Sequence, residues 1–281
     1  MRGFLRRTQP FLHVPMMLAA VLFLAPLLWM LTTSLKSPED IIKGLGAMQW
    51  LPQPVTTENF VDVLSKAEGY PVWRWMGNSL FISLAVTMLV LTVDAMAAFA
   101  YSRLRWRGRD RMFSILVATM LVPGQVLLIP SYLLIRSLGL FDTYGALIFP
   151  AAAGAFGVFL LRQFFVSIPV ELEEAARLDG CGPLGILRHV ILPLSKAALA
   201  TLGIFTFMGT WNAFEGPLIF TDSAAMRTLP VGITIFQGRY NTDYGPMMAM
   251  AALATIPVVI AFLIFQRHII KGIALTGLAG R

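Results

Sequence analysis

Long, near-continuously apolar stretches alternate with short polar connectors along this chain. The apolar stretches lie at about 11–33, 76–101, 112–134, 143–166, 197–220 and 246–266. Membrane-crossing strands are shorter and alternate apolar with polar residues, which these stretches do not, so helices are the spanning form the pattern supports. The prediction is an all-α membrane protein with six transmembrane helices, organised as one membrane domain over 1–281. Pro26, Pro123, Pro130, Pro150, Pro217 and Pro257 fall inside the stretches and predict kinks, which packed membrane helices tolerate. For Pro123, Gly124 and Pro130 the pattern allows a broken helix at a gate or an ordinary kink, and the kink is the expectation.

Arg2, Arg6 and Arg7 precede the first apolar run in the manner of a secretory signal. That run, from Phe11 to Leu31, is roughly 32 Å long as a helix against a hydrocarbon core of about 30 Å, so it reads as an uncleaved first span. Alternating sides from a cytoplasmic N-terminus places 15 of the 22 basic residues inside and 7 outside, so both termini are expected in the cytoplasm. The segment 34–75 then lies outside. It mixes Pro38, Pro52 and Pro54 with Trp50, Tyr70, Trp73 and Trp75, as either a meeting place for an external partner or a cap on the membrane surface.

Composition agrees with lipid as the main solvent, since 57% of residues are hydrophobic and only 13% charged. The net charge of +7 sits in short clusters between apolar runs, which argues against nucleic acid as a partner. One cysteine, Cys181, excludes an internal disulfide framework or a Cys-rich metal site. His13, His189 and His268 lie in different segments without zinc-site spacing. No phosphate-binding loop and no hydrolase motif occurs, so no catalytic residue, metal or cofactor is assigned to this chain, and any ATP is handled elsewhere.

The 30-residue connector from Ser167 to Lys196 carries the most consistent local signals. Pro169 suits a first helical position, and Glu171, Glu173 and Glu174 place negative charge in the opening turns, where the helix dipole favours it. Gly180 and Gly182 follow Asp179 as a permissive turn, Pro183 opens a second short helix, and Pro193 marks its approximate end. The result is a helix, a glycine turn and a helix. Small Ala175 and Ala176 invite close approach of another surface, and Glu174, Arg177 and Asp179 offer directional polar contacts. An interfacial connector lying on the membrane is the alternative from physics alone.

E-A-A-R-L-D-G, nine residues and then V-I-L-P, from Glu174 to Pro193, resembles the signature loop of permease subunits in binding-protein-dependent ABC importers. R-Q-F-F at Arg162–Phe165, W-N at Trp211–Asn212, T-L-P-V-G at Thr228–Gly232, and Q-R and K-G near Gln266–Gly272 are similar to the maltose-type carbohydrate-uptake branch. The resemblance implies ATPase-coupling roles for Glu174, Ala175, Ala176, Arg177, Asp179, Gly180, Leu192 and Pro193. It implies as partners a second homologous permease, two ATP-binding subunits holding ATP and Mg, an extracytoplasmic solute-binding protein and membrane lipid. The implied location is a bacterial or archaeal cytoplasmic membrane. The solute expected is a sugar or oligosaccharide, with a glycerol phosphate or polyol derivative as the alternative. Ala213 stands where sugar-branch relatives often carry glutamate, and Glu215 comes two positions later.

Ionisable residues inside spans are costly, so Asp94 and Glu215 call for an account. Asp94 either faces a polar helix contact or acts in transport. Glu215 with Trp211 and Asn212 could place an aromatic platform and hydrogen-bonding groups on a solute pathway, with helix packing as the competing explanation. An ion-coupled secondary transporter would use Asp94 or Glu215 as its coupling site, and an intramembrane enzyme would need a matched nucleophile and base that the sequence lacks. Arg103, Arg105, Arg107, Arg109 and Arg111 read as an orientation signal, or as a grip on anionic lipid or an acidic partner.

Overall fold

Helices account for every regular element among the described residues of the computed structural model, 2–44, 50–65, 70–238 and 242–278, with one isolated bridge between Gln237 and Thr242. In chain order they are α1 (Arg2–Ser34), α2 (Pro38–Gly44), α3 (Glu58–Ser65), α4 (Val72–Arg103), α5 (Arg109–Thr119), α6 (Leu128–Ser137), α7 (Tyr144–Ile148), α8 (Ala155–Val166), α9 (Glu171–Leu178), α10 (Pro183–Ile186), α11 (Leu192–Leu194), α12 (Lys196–Trp211), α13 (Glu215–Phe220), α14 (Leu229–Ile233) and α15 (Tyr244–Leu278). Lys66, Arg239 and Arg281 lie outside the described residues, as do the side chains of Arg2, Arg6, Arg7, Lys43, Gln266, Arg267, His268 and Lys271.

Four helical stretches are long and apolar enough to cross a membrane: Leu12–Ser34, Val72–Arg103, Tyr144–Val166 and Tyr244–Ile264. Two bent pairs raise the number to as many as six, Arg109–Thr119 with Gly124–Ser137 at 93° and Pro183–Leu194 with Lys196–Trp211 at 82°. The 93° break corrects the expectation of an ordinary kink near Pro123. Pro123 lacks a backbone N–H and steers its predecessor away from helix, and it sits extended at φ −62°, ψ 133° before a 3₁₀ turn begins at Gly124. The apolar run 197–220 is not one helix either. α12 stops at Trp211, the Asn212 side chain donates to the Met208 carbonyl at 2.9 Å, and Glu215 opens the separate α13. Pro26 and Pro257, by contrast, lie within helices that continue past them.

The chain divides into two compact units, Met1–Trp73 with Gly232–Ile256, and Arg74–Val231 with Pro257–Arg281. In the first unit, the segment after α1 folds back on the helix end. Buried Asn59 donates to the carbonyls of Ser34 at 3.0 Å and Lys36 at 2.8 Å, Trp29 meets Trp50 edge-on, and Lys36 lies over the Trp29 ring. Segment 34–75 is therefore structured in its described part. The apolar side chains of α1 from Leu12 onward are largely exposed within this chain.

The second unit holds the core. Along α4, Ile82, Val86, Val90, Asp94 and Ala98 are all buried at a spacing of four, the ridge by which helices interdigitate. Leu161 and Phe165 of α8, Ile186, Ile191 and Leu202 pack into the same cluster. In lipid such packing, rather than expulsion of apolar groups from water, supplies most of the cohesion between helices.

At the first turns of α4, polar side chains hold a loop. Trp75 donates to the Ala224 carbonyl at 2.7 Å, Asn78 to those of Ala225 and Arg227 at 2.9 Å each, and the Leu229 N–H reaches the Ser79 hydroxyl at 2.8 Å. Tyr144 completes the arrangement by donating to the Asn78 side-chain oxygen at 2.7 Å. Asp142, in the left-handed region at φ 58°, accepts from the N–H groups of Asp222 at 2.9 Å and Ser223 at 3.1 Å. Burial works to raise its pKa, but hydrogen bonds from Asp222 and Ser223 outweigh it and hold the carboxyl below its ordinary range.

Candidate functional site

The connector 167–196 folds as a helix, a tight turn and a second helical run. Val170, not Pro169, stands at the start of α9: its carbonyl accepts from the N–H groups of Glu173 at 2.9 Å and Glu174 at 3.1 Å. Glu171, Glu173 and Glu174 then occupy the first turn, as the dipole favours. At the other end, the Cys181 N–H reaches the Ala176 carbonyl at 2.9 Å and the Gly180 N–H reaches that of Arg177 at 3.0 Å. This is the Schellman pattern, and it requires the left-handed φ of 85° that Gly180 supplies. Pro183 opens α10, and the helix widens into a π turn at Leu187–Ile191 before Pro193, which cannot donate to the His189 carbonyl. The run ends at buried Ser195, and α12 departs at 82°.

One face of this unit belongs to the core. Ile168, Ala176, Ile186, Leu187 and Ile191 are buried in the same cluster as α4 and α8. The other face points away: Glu174, Ala175, Arg177, Asp179 and Gly180 are exposed, and so are Leu172, Leu178 and Leu184. Of the two alanines expected to receive another surface, only Ala175 faces outward. Leu192 is half-buried and Pro193 exposed. The usual ordering is inverted here, since Glu173 is 1% exposed and Leu178 is 90% exposed.

Glu173 is buried because it has a cationic partner. The Arg103 Nε lies 2.7 Å from its carboxylate, with both side chains buried, and the Arg177 guanidinium stands 3.9 Å away on the exposed side. Arg103 also donates through Nη2 to the carbonyls of Phe165 and Ile168, at 2.6 Å each. One side chain at the end of α4 thus ties α9 to the end of α8. Reading Arg103 as an orientation signal missed this. The pairing leaves no local mark in sequence, because 70 positions separate the partners.

The remaining basic residues behave differently. Arg109 pairs with Asp110 at 3.0 Å, and Arg105, Arg109 and Arg111 line an open cavity of about 520 Å³. The Arg162 guanidinium lies 4.0 Å from the centre of the Phe113 ring. Asp94 is fully buried, and its Oδ1 accepts from the Gly154 N–H at 3.1 Å, where α8 begins.

Trp211, Asn212 and Glu215 have different surroundings. Trp211 is buried, stacks on Phe207 and walls an apolar cavity of about 550 Å³ with Leu84, Gly203 and Ile260. Asn212 turns back onto its own helix, and Glu215 is exposed at the start of α13. A smaller cavity of about 300 Å³ lies beside the same break, lined by Ser79, Gly209, Thr210, Ala213, Gly216 and Thr228. Among the described residues, no group of three or more His, Cys, Asp or Glu side chains is placed to hold a metal ion.

Residues 95–275 match the family described as binding-protein-dependent transport system inner membrane component. The chain belongs to this family. Among the relatives of this inner membrane component is the arabinooligosaccharides transport system permease protein AraQ of Halalkalibacterium halodurans, 32% identical, with 98% of this chain and 99% of that one covered. The sn-glycerol-3-phosphate transport system permease protein UgpE of Agrobacterium fabrum is also 32% identical, with 94% and 95% covered. A chain of a bacterial ABC transporter involved in import of the acidic polysaccharide alginate superposes with a TM-score of 0.82 at 26% identity, covering 93% of this chain and 96% of that one. In this inner membrane component, the matched span runs from Ala95 on α4 into α15 and so includes Arg103, Glu173 and the entire loop.

Proposed function

We propose that this inner membrane component is the permease subunit of an ATP-driven importer of a carbohydrate or a related glycerol derivative, and that its loop 167–196 docks on an ATPase subunit. The observation that carries the docking role is the two-sided loop: one face is built into the core through Ile186, Ile191 and the Arg103–Glu173 pair, while Glu174, Arg177, Leu178 and Asp179 face outward. An exposed leucine at the tip, flanked by charges of both signs, fits a protein surface with an apolar pocket and a polar rim. A core-anchored loop also fits a lever better than a connector resting on lipid.

Counting each bent pair as one crossing gives six spans, with both termini on the cytoplasmic side of a bacterial or archaeal inner membrane and 1–281 acting as one membrane domain. The proposed assembly comprises a second permease, two ATP-binding subunits that hold ATP and Mg, an external solute-binding protein and surrounding lipid. Closure of the ATPase pair would push on the loop and shift the spans between inward- and outward-facing states, with differential binding of ATP to those states as the drive.

The relatives are named for arabinooligosaccharides, sulfoquinovosyl glycerol and sn-glycerol-3-phosphate, all rich in hydroxyl groups. The solute path is proposed along the break from Trp211 to Glu215 and the adjoining cavity of about 300 Å³, where Ser79, Thr210 and Thr228 offer hydroxyls. Family membership displaces the ion-coupled alternative, and Asp94 has a structural partner in Gly154.

Leu178→Asp tests the docking role. The substituted chain, co-expressed with its partners, should lose the ATPase subunit on purification, and the ATP hydrolysis stimulated by the binding protein should fall with it. Normal assembly with normal hydrolysis refutes the assignment. Ligand screening of the cognate binding protein then identifies the solute.

A further inference from the structure

α8 is held at both ends by ionisable side chains of one neighbour. At its start, the Asp94 carboxylate accepts from the Gly154 N–H at 3.1 Å, and Gly154 is the residue that caps the helix. At its end, Arg103 donates to the carbonyls of Phe165 and Ile168 at 2.6 Å. A negative group at the N-terminus and a positive group at the C-terminus match the dipole of the helix between them. Asp94 is 0% exposed and its second oxygen has no protein partner, so no other described side chain accounts for its burial. The fit around it is close: a Cβ on Gly157, one turn into α8, would run into the Asp94 carboxylate. Arg103 reaches further, to buried Glu173 of α9 at 2.7 Å.

We propose that Asp94 and Arg103 are positioning residues for transport, a bracket on α4 that clamps α8 end to end and locks α9 to both. The two spans and the loop helix then travel as one body when the ATPases close. Sliding α8 along α4 would separate a carboxylate from its N–H at one end and a guanidinium from two carbonyls and a carboxylate at the other. Each is a buried polar group that lipid cannot satisfy. The proposal rests on loop 167–196 as the ATPase contact.

The test measures distances by pulsed electron resonance in the complete importer, before and after trapping with ATP and vanadate. Cys181→Ala removes the chain's one cysteine, and spin labels go on the exposed positions Met96 of α4, Val166 of α8 and Leu172 of α9. In the otherwise unaltered chain, the Met96–Val166 and Met96–Leu172 distances should stay the same on ATP binding. In Arg103→Lys and in Glu173→Gln, which keep polarity but weaken the ion pair between α4 and α9, the Met96–Leu172 distance should shift by about 2 Å or more, the scale of helix displacements at switching interfaces. Gly157→Ala should widen the Met96–Val166 distribution, and Asp94→Ser in the same chain should narrow it again. A change in the unaltered chain on ATP binding overturns the proposal, as do unchanged distances in both clamp variants. Failure of the docking assignment would appear separately, as an ATPase retained by Leu178→Asp, whereas these distances are internal to one chain.

Discussion

Gly180→Ala isolates the backbone of the loop turn. Gly180 holds φ 85°, and a Cβ there meets nothing within 4 Å, so the penalty is conformational and not steric. An L-residue in the left-handed region costs about 1–2 kcal/mol. Against this, alanine narrows the unfolded ensemble and returns about 0.4–1 kcal/mol. The net expectation is a loss of about 1 kcal/mol, or about fivefold in the local opening equilibrium. Gly182 is the control, because it sits at φ −74°, ψ 173°, and a Cβ there is equally unobstructed. Gly182→Ala should therefore gain the entropic part alone. The assay is hydrogen exchange of the Gly180 and Cys181 amides, whose bonds to Arg177 and Ala176 close the turn. Exchange should quicken in Gly180→Ala, slow in Gly182→Ala, and lie nearer wild type in Gly180→Asn, since asparagine tolerates this region. Equal rates in the two alanine variants would refute the claim that the positive φ makes glycine necessary here.

Other outcomes follow from the polar joints. Asn78→Ala takes the Asn78 donor from the Arg227 carbonyl and leaves the Ala225 carbonyl with the Arg74 Nε–H, at a cost of about 1–3 kcal/mol, and should make the 221–228 loop a preferred site of limited proteolysis. Asp142 has a lowered pKa in the folded protein, so its contribution is complete above the ordinary value of 3.8 and declines as pH falls through the folded value. Exchange protection of the Asp222 and Ser223 amides should weaken on strong acidification in the native chain, whereas Asp142→Asn, with a weaker neutral acceptor, should show low and pH-independent protection. Gly209→Leu projects a side chain into the cavity of about 300 Å³ and should block solute entry while the ATPase stays attached, as read by uptake and co-purification. Undiminished uptake would move the solute path elsewhere.

Much of the site was legible locally. The loop's helix, turn and helix followed from Glu171 to Glu174 at a helix start, Gly180 at its end and Pro183 opening the next helix, because caps and turns depend on residues a few positions apart. The direction each residue faces was not legible. Ala176 turned inward while Ala175 stayed exposed, and Leu172, Leu178 and Leu184 lie outside where Glu173 lies inside. Facing is set by what packs against a helix, and α9 packs against Arg103, a residue remote in sequence.

The sequence by itself determined that the chain is helical and that it belongs in lipid, and it marked the loop that resembles the signature of permease subunits. Apolar run length and missing alternation suffice for the first two, since lipid leaves the backbone few ways to satisfy its polar groups. Only the tertiary structure decided that the helices on either side of Pro123 meet at 93° whereas Pro26 and Pro257 leave theirs running, that Trp211, Asn212 and Glu215 part company at a helix end, and that Asp94 and Arg103 grip the two ends of α8. Those outcomes rest on which helices lie side by side. A buried charge chooses its partner by three-dimensional proximity, and one-dimensional spacing records that choice only within a few helical turns.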